Sequence, residues 1–285
     1  MKIHPIQTGT VRIKTNQRQG KGRGLIRQLN MFLDSNWTEP LPIYAWVIEH
    51  PEGIIVVDTG DTAKTMEPGY FPRWHPYYKF GAKMDLKPKQ EIGPQLQKLG
   101  YQTSDIKKVI LTHFHTDHAG GLHHFPDSEI FVNAQEYEKA SGIMGRLRGY
   151  LPHRWPEWLD PNFISFEPIP VGPFEQSYKV TEEGDVIVIP TPGHTLNHIS
   201  VIVKGEEFDY FLAGDTSYAQ QFLLDERVDG VSPNDEISLK SIKKIIEYGQ
   251  NYPMIYLPSH DPESRKRLEN EIFLFDRKYH EVEVG

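Results

Sequence analysis

Four side chains able to hold a metal, His113, His115, Asp117 and His118, fall within six residues, and Ala119-Gly120-Gly121 follows them. They come directly after Val109-Ile110-Leu111-Thr112, a β-branched run that reads as a strand. A strand ending there delivers its side chains to an irregular loop at the edge of a sheet. His113 and His115, two apart, can then face one ion while Asp117 and His118 turn toward a second. Imidazole nitrogen with carboxylate oxygen suits zinc and its first-row neighbours. The chain has no cysteine, so every ligand is nitrogen or oxygen, and disulfides and thiolate nucleophiles are excluded.

Other segments repeat the pattern of a strand that ends in a histidine or a carboxylate. The runs Ile43–Ile48 and Gly53–Asp58, separated by Glu49-His50-Pro51-Glu52, read as a hairpin that ends in Asp58-Thr59-Gly60. Asp58 can either orient a ligand histidine from behind or cap the turn that follows. Asp185–Ile189 runs into Pro190-Thr191-Pro192-Gly193-His194, where a histidine in a Pro/Gly turn is better placed for ligation than for core packing. Strands at His198–Val203 and Phe208–Ala213 lead to Gly214-Asp215, and Met254–Leu257 leads to Pro258-Ser259-His260. One such residue alone would be structural; repeated at the same kind of strand end beside a metal motif, His194, Asp215 and His260 become candidate ligands.

Between these segments the chain predicts an opening strand over 3–14 and helices over Lys89–Leu99, Ala134–Ala140, Ser232–Tyr248 and Pro262–Phe275, with Gly249 as a stop signal for the third of these. The basic stretch from Arg12 to Arg27 reads as a solvated loop. The aromatic segment 66–80 is either a satellite cluster or a pocket wall. The Pro/Trp-rich insertion 142–175 reads as irregular, a candidate for covering the site or contacting a second subunit. The adjacent pair His123-His124 is expected to point in divergent directions, and isolated His153 not to ligate. At 285 residues the chain is expected to form one domain over 1–285. Its formal charge of −8 argues against a general nucleic-acid binder. Met1-Lys2-Ile3-His4-Pro5 lacks the apolar core of a signal peptide, and no stretch approaches membrane-spanning length. A cytoplasmic protein without a membrane partner is the expectation.

The set HxHxDH, Gly-His-Thr, Gly-Asp and Ser-His, running from Asp58-Thr59-Gly60 to His260, resembles the metallo-β-lactamase superfamily. That resemblance implies an α+β fold, an αββα sandwich with a dinuclear metal site at one edge of two packed sheets. Carried onto this chain, it assigns His113, His115 and His194 to one divalent metal. Asp117, His118 and His260 would hold the other, and Asp215 would bridge the two together with a hydroxide. Zinc is the first expectation, with cobalt, manganese or iron open.

Within the superfamily the chain is most similar to the N-acyl homoserine lactone lactonases that quench quorum sensing. The spacing of 76 residues from His118 to His194, 21 on to Asp215 and 45 on to His260 suits their arrangement, and Tyr218 stands where they place a lactone-contacting tyrosine. The departures are Thr116, at a position often aromatic, and expanded loops at 61–88 and 142–175; both bear on acyl-chain preference. The implied reaction is hydrolytic opening of an acyl lactone by the bridging hydroxide, with Tyr218 stabilising the oxyanion and Asp117 moving the proton to the leaving alkoxide. A homodimer is the family expectation. The alternative is a glyoxalase II-like thioesterase or another ester hydrolase of the superfamily, although little chain remains beyond His260 for a helical substrate domain. A β-lactamase, a nuclease, a flavodiiron-type oxidoreductase and a metal-stabilised binding module fit less of the pattern.

Overall fold

The computed structural model describes residues 1–275. One sheet is built from β1 (Lys2–Ile13), β2 (Leu41–Glu49), β3 (Ile54–Val57), β4 (Ala82–Asp85), β5 (Ile106–Ile110), β6 (Glu129–Asn133) and β7 (Asn162–Ile164), in the order β4-β1-β2-β3-β5-β6-β7. The expected hairpin is the antiparallel pair β2–β3, with Trp46 opposite Val57; β3, β5, β6 and β7 then run parallel. The second sheet holds β8 (Tyr178–Lys179), β9 (Val186–Pro190), β10 (Ile199–Lys204), β11 (Asp209–Gly214) and β12 (Met254–Pro258), in the order β12-β11-β10-β9-β8.

Alternation along the strands explains why the sheets stack. From β2, Tyr44, Trp46 and Ile48 point inward and meet Val188, Val201, Leu212 and Leu257 of the second sheet. The intervening Ala45 and Val47 point outward, against helical Ile92, Leu96 and Ala140. On the far side Ile187, Ile202 and Phe211 pack on Ile242, Ile245 and Tyr248. A strand buried on both faces reads as a continuous apolar run, as β2 and β9 do. The expected αββα sandwich is the architecture observed.

The helices are α1 (Thr15–Gln19), α2 (Gly24–Leu33), α3 (Pro76–Phe80), α4 (Ile92–Lys98), α5 (Thr116–Ala119), α6 (Ala134–Ala140), α7 (Gly142–Leu147), α8 (Gln220–Leu224), α9 (Asp235–Asn251) and α10 (Ser264–Glu269). Several depart from expectation. The basic stretch is a solvated loop only at residues 21–23. Elsewhere it ends β1 and forms α1 and the start of α2, and Arg27 is buried, paired with Asp235 and donating to the Ser232 carbonyl at 2.5 Å. Helix α9 is capped by Asn234, whose side chain accepts from the Glu236 and Ile237 amides, and it runs past Gly249 to Asn251. Gly249 fails to stop it because Tyr248 and Gly249 are still buried against the second sheet and the C-terminal segment. The closing helix α10 is shorter than expected. The insertion 142–175 opens with α7 and contributes β7 to the sheet edge.

Candidate metal centre

The loop after β5 turns into the single-turn helix α5, which carries Asp117 and His118. His194 follows β9, and His260 follows β12. Asp215 follows β11 at Gly214, whose φ of +56° suits a residue without a side chain. A Cβ there would also lie 2.6 Å from Nε2 of His198. The same His198 nitrogen accepts the Asp215 amide at 3.0 Å and so fixes where that carboxylate starts.

All seven expected residues converge. Nδ1 of His115 lies 2.9 Å from Nε2 of His113 and 3.0 Å from Nε2 of His194. Nε2 of His260 is 3.4 Å from Asp117 Oδ2. Asp215 spans the two groups: Oδ2 is 3.4 Å from His194 Nε2, while Oδ1 is 3.3 Å from His118 Nε2 and 3.4 Å from His260 Nε2. The trios His113-His115-His194, His113-His118-Asp215 and Asp117-His118-His260 each bring a donor atom from every member within 4.8 Å of the others.

The outward-facing ring nitrogens account for the tautomers. Nδ1 of His118 donates to Asp58 Oδ2 at 2.8 Å, that of His194 to Asp229 Oδ2 at 3.1 Å, and that of His260 to the Pro42 carbonyl at 2.8 Å. Nδ1 of His113 meets Thr112 Oγ1 at 3.1 Å, and that hydroxyl is committed as a donor to Asp58. Each of these rings therefore turns an Nε2 lone pair inward, as metal-binding histidines do when a partner holds the other nitrogen. Asp58 thus takes the orienting role rather than serving only its turn.

A cation fits this set. The inward nitrogens of His113 and His115 face each other 2.9 Å apart as neutral imidazole donors, and buried His118 Nε2 and Asp215 Oδ1 have no satisfied hydrogen-bond partner, though they lie 3.3 Å apart. A native interior rarely leaves such atoms without a partner. Burial, reinforced by neighbouring imidazoles, holds His113 well below the usual histidine range and His115 at about 3, which keeps both as neutral donors. Burial acts in the same direction on His118 and His260, but Asp215 with Asp58 overrides it at His118, and Asp215 with Asp117 at His260. His118 is raised well above the ordinary value, and His260 to about 10. Asp215 is held well below the carboxylate range by His260, His118 and His194, against the effect of its burial.

Beside this centre lies a cavity of about 430 Å³, within the size range of small-molecule sites. Tyr218 is buried at its floor, its ring stacked 5.5 Å from that of His260. Gln17 Nε2 donates to the Tyr218 hydroxyl at 3.2 Å and to that of Tyr77 at 2.9 Å. The two open readings of the aromatic segment divide by residue: His75, Tyr77 and Tyr78 line the cavity, whereas Trp74 and Phe80 are exposed. From the insertion, Tyr150 lines the cavity and stacks 5.3 Å from His115, so this part of it does cover the site.

Sequence reasoning missed Gln17, Asp229 and His198. Asp229 sits in the turn before α9, where the Val231 and Ser232 amides and the Ser232 hydroxyl hold it, and nothing in its local pattern marks it. One expectation fails outright: His123 and His124 do not diverge but both bear on Glu91. His153 takes no part in any of the clusters.

The chain belongs to the metallo-beta-lactamase superfamily, whose family model matches residues 38–260. Among its relatives it is similar to the N-acyl homoserine lactonase AttM of Rhizobium radiobacter, 25% identical over 93% of this chain and 94% of that one. It is 30% identical to the N-acyl homoserine lactonase AiiA of Bacillus thuringiensis subsp. kurstaki, over 79% and 84% of the two chains. A solved structure of an N-acyl homoserine lactone hydrolase, with the product N-hexanoyl-L-homoserine bound at its catalytic metal centre, matches at a TM-score of 0.74. The identity is 25%, over 93% of this chain and 94% of that one.

Proposed function

We propose that this protein hydrolyses the lactone ring of N-acyl homoserine lactones at a two-metal centre. His113, His115 and His194 would hold one ion, Asp117, His118 and His260 the other, with Asp215 shared. The observation that carries the reading is the position of Asp215, with one oxygen toward each trio, beside a cavity whose walls include Val11, Ile13, Met31 and Met84. A polar head at the centre and an acyl tail along those side chains match an acylated lactone. The named relatives support the same substrate class.

When bound, divalent metals supply Lewis acidity and a water acidic enough to ionise near neutral pH. The chain's own groups do the rest. Gln17 donates to the Tyr218 oxygen and so leaves the Tyr218 proton free to be donated to a substrate oxygen. Burial, then Asp215, raises the Tyr218 hydroxyl well above its usual range, so it remains a donor at any working pH. Burial raises Asp117, but its hydrogen bond to His260 and the charges of His118 and His260 together outweigh burial and hold it at about 2. Present as a carboxylate, it can accept the proton that leaves the attacking water and pass it to the ring oxygen as the acyl C–O bond breaks. The product is the open N-acyl homoserine.

The test follows acid release in weak buffer by the metal-loaded protein with a long-chain N-acyl homoserine lactone. An S-acyl glutathione thioester is the competing substrate and the Asp215→Asn protein the blank. Lactone opening that disappears in the blank is the expected result. Thioester turnover with an inert lactone would overturn the lactonase reading in favour of the thioesterase. The expected homodimer belongs to the same reading, and sedimentation velocity tests it.

A further inference from the structure

We infer that Glu91, His123 and His124 form a separate divalent-metal site on the outer side of the first sheet, one that ties three segments of chain together. One donor atom from each lies within 4.8 Å of the other two. Nε2 of His124 is 2.7 Å and Nε2 of His123 3.2 Å from the same carboxylate oxygen, Glu91 Oε2. The two rings lie 4.1 Å apart, inclined at 36°. Their convergence depends on Gly93: a Cβ there would stand 2.5 Å from Nδ1 of His124, so only glycine lets that ring swing in beside Glu91.

Two of the three side chains, His123 and Glu91, are held from behind, as ligands are. Nδ1 of His123 is 3.2 Å from the Gly120 carbonyl, which can only accept. The ring proton therefore sits on Nδ1, and Nε2 presents a lone pair. In the neutral ring that lone pair faces Glu91 Oε2, where a cation could take both. Glu91 is anchored through its other oxygen, which accepts from the Ala63 amide at 2.7 Å and the Thr62 hydroxyl at 3.3 Å, leaving Oε2 for the histidines. Outer contacts of this kind fix a ligand's tautomer and direction. Burial and then the neighbouring His123 lower His124 below the usual range, which keeps it neutral. Glu91 is lowered too, its hydrogen bonds outweighing its burial. Two imidazoles and one carboxylate suit zinc, nickel or cobalt, with the remaining positions open to water because His123 is about one-third exposed.

The segments joined are the turn after Asp58-Thr59-Gly60, the start of α4 and the turn after α5. Asp61, next to Thr62, accepts from the hydroxyl of Thr116, the neighbour of Asp117. A metal at Glu91 would therefore brace the back of the loop that carries the motif without touching the cavity.

The experiment is equilibrium dialysis of the full chain against zinc alone, with bound metal counted by mass spectrometry, for the native protein and for His123→Ala. The variant is expected to hold one zinc fewer per chain, with lactone or ester turnover unchanged within about twofold. The difference does not depend on how many ions the main centre holds, nor on what that centre hydrolyses. Should His123→Ala fold poorly by its melt in chelator, Glu91→Gln, which retains the acceptor for Ala63, is read in the same way. Equal metal content in native and variant protein overturns the inference and leaves Glu91 as the acceptor of a hydrogen-bonded histidine pair.

Discussion

Replacing Asp58 by asparagine isolates what the carboxylate behind His118 does. Asp58 is fully buried at φ +59°, a conformation asparagine tolerates well, so the substitution adds no volume and little backbone strain. Its Oδ1 accepts from the Thr112 amide at 2.8 Å and its Oδ2 from His118 Nδ1 at 2.8 Å. An amide has only one oxygen for these two donors. If that oxygen stays on Thr112, its NH2 faces Nδ1 of His118 and the ring must shift its proton to Nε2, the atom aimed at Asp215. The lone pair for the metal is then lost. Removing a partner of this kind costs about 10–100-fold in metal affinity or activity, or about 1.4–2.7 kcal/mol at 1.36 kcal/mol per factor of ten. If the amide turns the other way, His118 keeps its tautomer and the Thr112 N–H is buried without an acceptor, at about 1–3 kcal/mol of stability. Zinc titration against a competing chelating dye reads the first cost, and urea unfolding of the metal-free protein reads the second. One of the two must appear. A variant that binds zinc and resists urea like the native protein would refute the role given to Asp58.

The other predictions concern neighbouring parts of the molecule. Tyr218→Phe keeps the ring stacked on His260 but removes the donor, so kcat is expected to fall by about 10²–10³ with little change in melting temperature; unchanged turnover of every lactone would exclude the assigned role. Arg27→Ala leaves Asp235 facing a vacated, buried site and is expected to cost about 3–5 kcal/mol in urea unfolding, with Arg27→Met costing less. Met84→Trp narrows the cavity and is expected to lower the long-to-short acyl preference in kcat/KM about fourfold for each methylene excluded, from about 0.8 kcal/mol per buried CH2. Metal-free protein should release protons on loading at neutral pH: although burial lowers His260, Asp215 and Asp117 raise it to about 10, so a proton must be displaced. Zinc affinity then rises with pH up to that value, and calorimetric titration in two buffers of different ionisation enthalpy should differ in apparent heat.

The seven residues of the candidate centre are legible in the sequence because each follows a strand, and strand ends are what β-branched runs and Gly/Pro turns mark most clearly. The sandwich is legible through the resemblance to the superfamily, and the structure supplies its reason: β2 and β9 are buried on both faces, with layers above and below. What stays hidden is the ring of partners behind the ligands. His260 is oriented by a backbone carbonyl, that of Pro42, and a carbonyl carries no residue type to read. Asp229 lies 35 residues from His194 in a turn whose composition is ordinary. Gln17 reaches Tyr218 from 201 residues away, in a basic stretch whose charges suggest solvent. That stretch misleads because the pairing of Arg27 with Asp235 depends on α9 lying across it, a contact that no local periodicity carries. The type of each candidate ligand is thus written in local sequence, whereas its orientation is a property of the assembled sandwich. Substitutions at Asp58, Asp229 and Gln17 should accordingly change metal affinity and turnover while every motif residue stays in place.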